Sequence, residues 1–344
     1  MLFYGGEMRR IIAVIIYTIL LAGCSKENKE IKYEIIKAGH YGDSSNVNNG
    51  QIYEIGFIGI NSKQQVYIID RALRTVKMFA KEGKYLRTYG KGMGSGPGEL
   101  LSPDGIAVDD EGGVYITDSQ KMRLTYYDSL GSVAKTIKLS FIAANIAATK
   151  PGIIYITGMP FSYKGDLVYK YNLNNTDYNR PVLIFCERID PGDNKALATN
   201  GARIGLEKSI EGNIIYNFPY PYEFRIYNEN GILLDKYQRA PNDFKPPFYK
   251  KINGLTVNIC DNMILDPIIL NDSIYAYRVL QNERSKQYLD FYNVKTKKYI
   301  GAINSKDIGV DNSAQIKGDR RGNIYHVVSQ PYPHVEKIKL KIIQ

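Results

Sequence analysis

RTVKMFAKEGKYLRTYGKGMGSGPGELLSPDGIAVDDEGGVYITDS, residues 74–119, is the stretch whose reading decides the fold. Its centre carries glycine at every second position, Gly90, Gly92, Gly94, Gly96 and Gly98. A phosphate loop needs a lysine directly after its last glycine, and here Lys91 stands near the start. The dinucleotide fingerprint fails too, because Ser95 and Pro97 occupy the places of its third glycine. The flanks explain the glycines better. KYLRTYG before them and GIAVDD after them read as strands, so the stretch is a sharply bent link between two structural units, helped by Pro97 and Pro103.

The run VYITD, with Tyr115, recurs as VYIID (Tyr67), IIYIT (Tyr155), IIYNF (Tyr216), SIYAY (Tyr275) and NIYHV (Tyr325), at tyrosine spacings of 48, 40, 61, 59 and 50 residues. Turn signals such as DDEGG and GDRRGN precede most of these runs, and a second strand and turn follow them. From residue 50 onward no long apolar period of 3.6 residues interrupts the pattern. Six units of four hairpin-connected strands predict an all-β, six-bladed β-propeller. The last unit has room for only three strands, so IKYEIIKA, Ile31–Ala38, is expected to close the ring as its fourth.

The block from Val66 to Thr136 is similar to NHL-type repeats and resembles the six-bladed propeller lipoproteins, also called TolB-like. The later blades keep the IY core but lack the P-x-G-I-A-V-D signature. The resemblance implies the fold and leaves the function open, since propellers host enzymes, binders and scaffolds alike.

Ahead of the propeller, MRRIIAVIIYTILLAGC contains Arg9 and Arg10, an apolar run and small residues, which read as an export signal over 1–23. Met8 directly before the basic pair is an alternative start. Leu21-Ala22-Gly23-Cys24 resembles the lipobox of bacterial lipoproteins, in which the cysteine is lipidated. The organisation expected is thus a signal peptide, a polar tether over 24–30 and a propeller over 31–344. The expected location is the bacterial cell envelope, anchored to the outer membrane and facing the periplasm or the surface. Cys186 and Cys260 lack metal or exchange spacing and read as isolated thiols. The net charge of +10 is spread along the chain rather than blocked, so it reads as a solvated basic surface and not a nucleic-acid site.

Chemistry at a propeller's channel mouth needs groups converging from several blades. With three histidines, His40, His326 and His334, a multi-blade zinc site is not expected. Lactonase-like propellers hold a divalent cation with Glu, Asn and Asp, and Asp104, Asn145 and Asp266, near inner-strand starts, are the candidate ligands, with calcium as the ion. No G-x-S-x-G elbow occurs. The loops between second and third strands are richer. Arg71, Arg74, Arg123, Arg278 and Arg284 could pair with anionic groups, and Tyr163, Tyr220, Tyr222 and Tyr332 could stack on sugar or peptide faces. The expectation is a cofactor-free, monomeric module that binds an oligosaccharide, glycoconjugate or protein partner. The alternative is a metal-dependent hydrolase of the lactonase kind.

Overall fold

The structure is a computed structural model that describes residues 31–42, 50–159, 165–194, 196, 205–218, 220–239, 244–260, 262–281, 286–311 and 313–343. Six four-stranded antiparallel sheets form the blades of an all-β propeller. Blade one comprises β2 (Ile55–Ile60), β3 (Val66–Asp70), β4 (Thr75–Phe79) and β5 (Tyr85–Tyr89). Blade two comprises β6 (Pro103–Val108), β7 (Val114–Asp118), β8 (Arg123–Tyr127) and β9 (Val133–Lys138). Blade three is β10 (Ile142–Lys150), β11 (Ile153–Met159), β12 (Val168–Asn172) and β13 (Leu183–Phe185). Blade four is β14 (Leu206–Lys208), β15 (Ile214–Phe218), β16 (Glu223–Tyr227) and β17 (Leu233–Gln238). A separate hairpin, β18 (Phe248–Ile252) with β19 (Leu255–Ile259), precedes blade five, β20 (Met263–Ile269), β21 (Ile274–Gln281), β22 (Lys286–Asn293) and β23 (Lys298–Asn304). Blade six is β24 (Ile316–Gly318), β25 (Asn323–Val328) and β26 (His334–Ile343), completed by β1 (Lys32–Tyr41).

β1 runs antiparallel to β26 from Lys32 opposite Ile343 to Tyr41 opposite Val335, which confirms closure by an N-terminal strand. It extends to Tyr41, past the expected Ala38, because Tyr41 is fully buried against Phe79 and Tyr325 and its hydroxyl donates to the Lys81 carbonyl at 2.9 Å. One tyrosine thereby ties blade six to blade one.

All six repeat tyrosines lie on the second strand of their blades and are at most 5 % exposed. In three blades the hydroxyl finds a polar residue six positions earlier, at the turn between the first two strands. Tyr115 donates to Asp109 Oδ2 at 2.7 Å, Tyr325 to Asp319 Oδ2 at 3.3 Å, and Asn61 Nδ2 donates to Tyr67 at 3.5 Å. Asp109 also accepts from the Glu111 and Gly113 amides, holding the turn closed. The repeat is therefore a local device: a short polar side chain caps the turn and a buried phenol caps that side chain in turn.

The glycine stretch is a self-bonded link. The Lys91 amide donates to the Gly98 carbonyl at 2.8 Å, and Leu100 donates to Gly92 at 3.0 Å. Glu99 folds back onto the Gly96 amide at 2.7 Å and sits where a Cβ on Gly94 would be, 2.1 Å from its Oε2. The space a phosphate would need is filled by a carboxylate of the same loop. The link reading holds.

Cys186 and Cys260 are free thiols, Cys186 buried at a backbone φ of +72°. Burial pushes the Cys186 thiol up to about 12, so it stays protonated and unreactive at neutral pH.

Candidate functional site

The channel runs between two chemically different faces. One carries the links between blades and the turns between second and third strands; the other carries the hairpin turns between first and second strands. On the link side Asp70 and Asp118, each ending the second strand of its blade, organise the surface. Asp70 accepts from the Tyr53, Glu54 and Leu73 amides, and Asp118 from Leu101, Ser102 and Lys121, at 2.8 to 3.4 Å. Each carboxylate clamps the incoming link onto the turn beside the channel.

Several residues singled out from sequence are used by this scaffold. Arg74 donates to the Arg71 carbonyl, Arg71 lies over the Phe57 ring at 5.3 Å, and Arg123 donates to the Glu99 carbonyl at 2.8 Å. Tyr222 is 1 % exposed and donates to Asp290 at 2.7 Å, so its ring face is closed to a ligand. Arg278 lies within β21, not in a loop, at 7 % exposure, its guanidinium donating to Gln287 at 3.1 Å. Both were drawn inward because blade five's second and third strands extend beyond the lengths their turn signals suggested. Tyr220 is half-buried and stacks on Phe244, rings 5.7 Å apart and 8° from parallel. Cys24, Tyr163, Arg284 and the Asp266 side chain lie outside the described residues. Asp104 accepts from the Ser102 hydroxyl at 2.9 Å, and Asn145 turns its Oδ1 to the Ile146 amide at 2.8 Å. Among the described residues, no group of three or more His, Cys, Asp or Glu side chains is placed to hold a metal ion.

The three histidines, distant in sequence, meet in blade six. Register places His40 opposite Glu336 and Glu336 opposite His326. His326 Nε2 and His334 Nε2 approach the Glu336 carboxylate at 3.6 and 3.5 Å, and the His334 Nδ1–H donates to the Tyr332 carbonyl at 2.8 Å. Tyr332, a candidate ligand residue, instead bonds His40 Nε2 at 3.1 Å. Burial, outweighing the attraction of Glu336, lowers the His326 pKa from 6.5 to about 4. The unfolded chain therefore takes up a proton before the folded one as pH falls from 6.5 towards 4, and stability present at neutral pH is lost across that window. Between pH 7 and 5 the loss from this residue is about 2 kcal/mol. Urea midpoints at the two pH values should differ less for His326→Gln than for the wild type; parallel pH profiles would refute the assignment.

Two features were not anticipated. The first is the β18–β19 hairpin. Pairing of Phe248 with Ile259, Lys250 with Val257 and Ile252 with Leu255 puts an apolar row, broken by Lys250, on one side. Phe248, Ile252, Leu255 and Val257 are 37 to 70 % exposed. The signal was present: Asn253-Gly254 between alternating apolar residues is a hairpin motif, and the 59-residue tyrosine spacing around blade four leaves room for it. The second is the channel throat at the hairpin-turn side, where Glu207, Lys208, Lys317 and Arg320 converge on a cavity of about 30 Å³. Glu207 bonds Lys317 Nζ at 2.7 Å and lies 3.4 Å from Arg320. Burial works to raise the Glu207 carboxyl, but these two cations hold it below the usual carboxylate range.

The DUF5128 family, described as a 6-bladed beta-propeller, matches residues 46–320. The chain belongs to this family. Among solved structures it is similar to a protein described as exported, from Bacteroides fragilis, at 11% identity over 93% of this chain and 98% of that one, with a TM-score of 0.60. A member of the DUF4221 family from Bacteroides vulgatus shares 10% identity over 92% of this chain and 100% of that one, TM-score 0.59. A catalytically inactive virginiamycin B lyase from Staphylococcus aureus with quinupristin shares 10% identity over 90% and 99%, TM-score 0.53. At such identities the likeness is one of fold. No curated protein matches the chain.

Proposed function

We propose that this propeller is an exported, lipid-anchored binding module of the bacterial envelope that engages a glycan, glycoconjugate or protein partner through its link-side face. The observation that carries the reading is the β18–β19 hairpin, an apolar face left open on that side with Lys245, Lys250 and Lys251 around it. Contiguous exposed apolar surface with a polar rim is characteristic of interaction sites. The neighbouring Tyr220–Phe244 stack adds an aromatic platform of the kind sugars and peptides favour.

The LAGC sequence ending in Cys24 supports the anchor, and the exported description of the Bacteroides fragilis neighbour accords with it. Orientation follows from the fold. β1 begins at Lys32 beside the end of β26, on the side opposite the links, so a tether from Cys24 reaches the hairpin-turn side and leaves the link face pointing away from the membrane.

Replacing Phe248 and Leu255 together by Asp tests the reading. Both side chains are exposed, so the circular dichroism spectrum and thermal midpoint should stay near those of the wild type. Retention on arrays of envelope glycans and on solubilised envelope proteins should fall by about 30-fold, as expected for losing an apolar anchor worth about 2 kcal/mol. Unchanged retention of every wild-type ligand would move the binding face elsewhere.

A further inference from the structure

The channel throat has more positive charge than its own carboxylates neutralise. Its wall includes Lys208, Lys317 and Arg320 against Glu207 alone. Asp110 lies 3.7 Å from Lys208 Nζ, which brings the set to three cations and two carboxylates. Lys208 is 5 % exposed, and the Arg320 Nε donates to the Lys208 carbonyl at 3.3 Å, which fixes the guanidinium beside the ammonium. Ile58, Ile106 and Ile146 of the first three blades seal the cavity on its inner side. A surplus positive charge in a site of low polarity is costly unless it is compensated.

We infer that the throat is a binding site for one compact monovalent anion, of halide or small-carboxylate size, held by Lys208 with Arg320 and Lys317. Three features set the class. The surplus is a single charge, so one monovalent anion balances the cluster and a divalent one over-corrects it. The cavity of about 30 Å³ holds an occupant of about one or two water volumes, which excludes phosphate esters and sugars. The donors are ammonium and guanidinium N–H groups, which suit an acceptor-only ligand. Burial and the adjacent Arg320 both lower the Lys208 pKa, and a bound anion would oppose that shift. Bound there, the ion would join blade four, through Lys208, to blade six, through Lys317 and Arg320, which are separated by over a hundred residues of chain. This site lies on the opposite side of the ring from the hairpin and does not depend on the proposed function.

Crystals of the full chain grown in sodium bromide test the site directly. An anomalous peak at the bromine edge is expected in the throat within hydrogen-bonding reach of Lys208 Nζ, and it should be displaced by formate. In solution the thermal midpoint should rise with sodium bromide or sodium formate relative to sodium gluconate at equal ionic strength, since gluconate is too large to enter. Lys208→Met should abolish that difference, and Lys208→Gln provides the same test if the methionine variant does not fold. A throat without bromide density, or midpoints that follow ionic strength alone in the wild type, would overturn the assignment. So would a bromide response that survives both substitutions.

Discussion

Tyr115→Ala lowers the unfolding free energy by about 4 kcal/mol, within the range for deleting a large buried aromatic. The ring is fully buried and stacks on Tyr126 at 4.6 Å and 7°. Its hydroxyl donates to Asp109 and accepts from the Gly152 amide at 2.8 Å, so one side chain closes a turn of blade two and holds a turn of blade three. Burial, and then Asp109, raise the phenol far above its usual pKa, and it remains a donor throughout the accessible pH range. Tyr115→Phe keeps the ring and strands both partners, which costs about 2 kcal/mol. Urea titrations with unchanged m-values should resolve the two steps. A phenylalanine variant as stable as the wild type would remove the hydrogen bonds from the account and leave only packing.

Deleting residues 31–41 should leave no soluble, folded monomer. The deletion strips nine residue pairs from β26 and exposes its edge, which presents unpaired amides and carbonyls to other chains. It also uncovers the cluster containing Ile338 and Leu340, on which Ile31, Tyr33 and Ile35 pack. Loss of Tyr41 then opens the contact between blades six and one; that side chain alone accounts for about 3–5 kcal/mol, a large part of an ordinary folding margin. Size-exclusion chromatography and the soluble fraction after expression report the outcome. A deletion variant that elutes as a monomer and melts with the wild type would show that closure lies elsewhere. Tyr41→Phe, which removes only the bond to Lys81, should cost about 1 kcal/mol.

What the sequence by itself determined is what its local periods encode. Strand, turn and blade are specified within about six to twelve residues: Asp109, Gly112, Gly113 and Tyr115 suffice to form and cap a hairpin, and similar patterns at Asn61 and Asp319 set the count of blades. The closing strand was legible because blade six lacks one and IKYEIIKA has no other partner in the pattern. The β18–β19 hairpin was legible in principle from Asn253-Gly254, but nothing local states that its apolar row stays uncovered.

The tertiary structure alone decided which side chains meet and which are withdrawn. Tyr222 and Tyr332 occur in similar proline-containing turns, yet Tyr222 is drawn beneath a neighbouring blade onto Asp290, while Tyr332 joins a histidine cluster. His40 reaches His334 and Tyr332 only because β1 returns to the end of the chain. Glu207 meets Lys317, 110 positions away, across the axis of the ring. Closing a ring of blades brings together the ends of inner strands whose order in sequence carries no information about charge balance. The surplus in the throat is therefore a property of the assembled channel, arising from the shared low-polarity space into which Lys208, Lys317 and Arg320 all point.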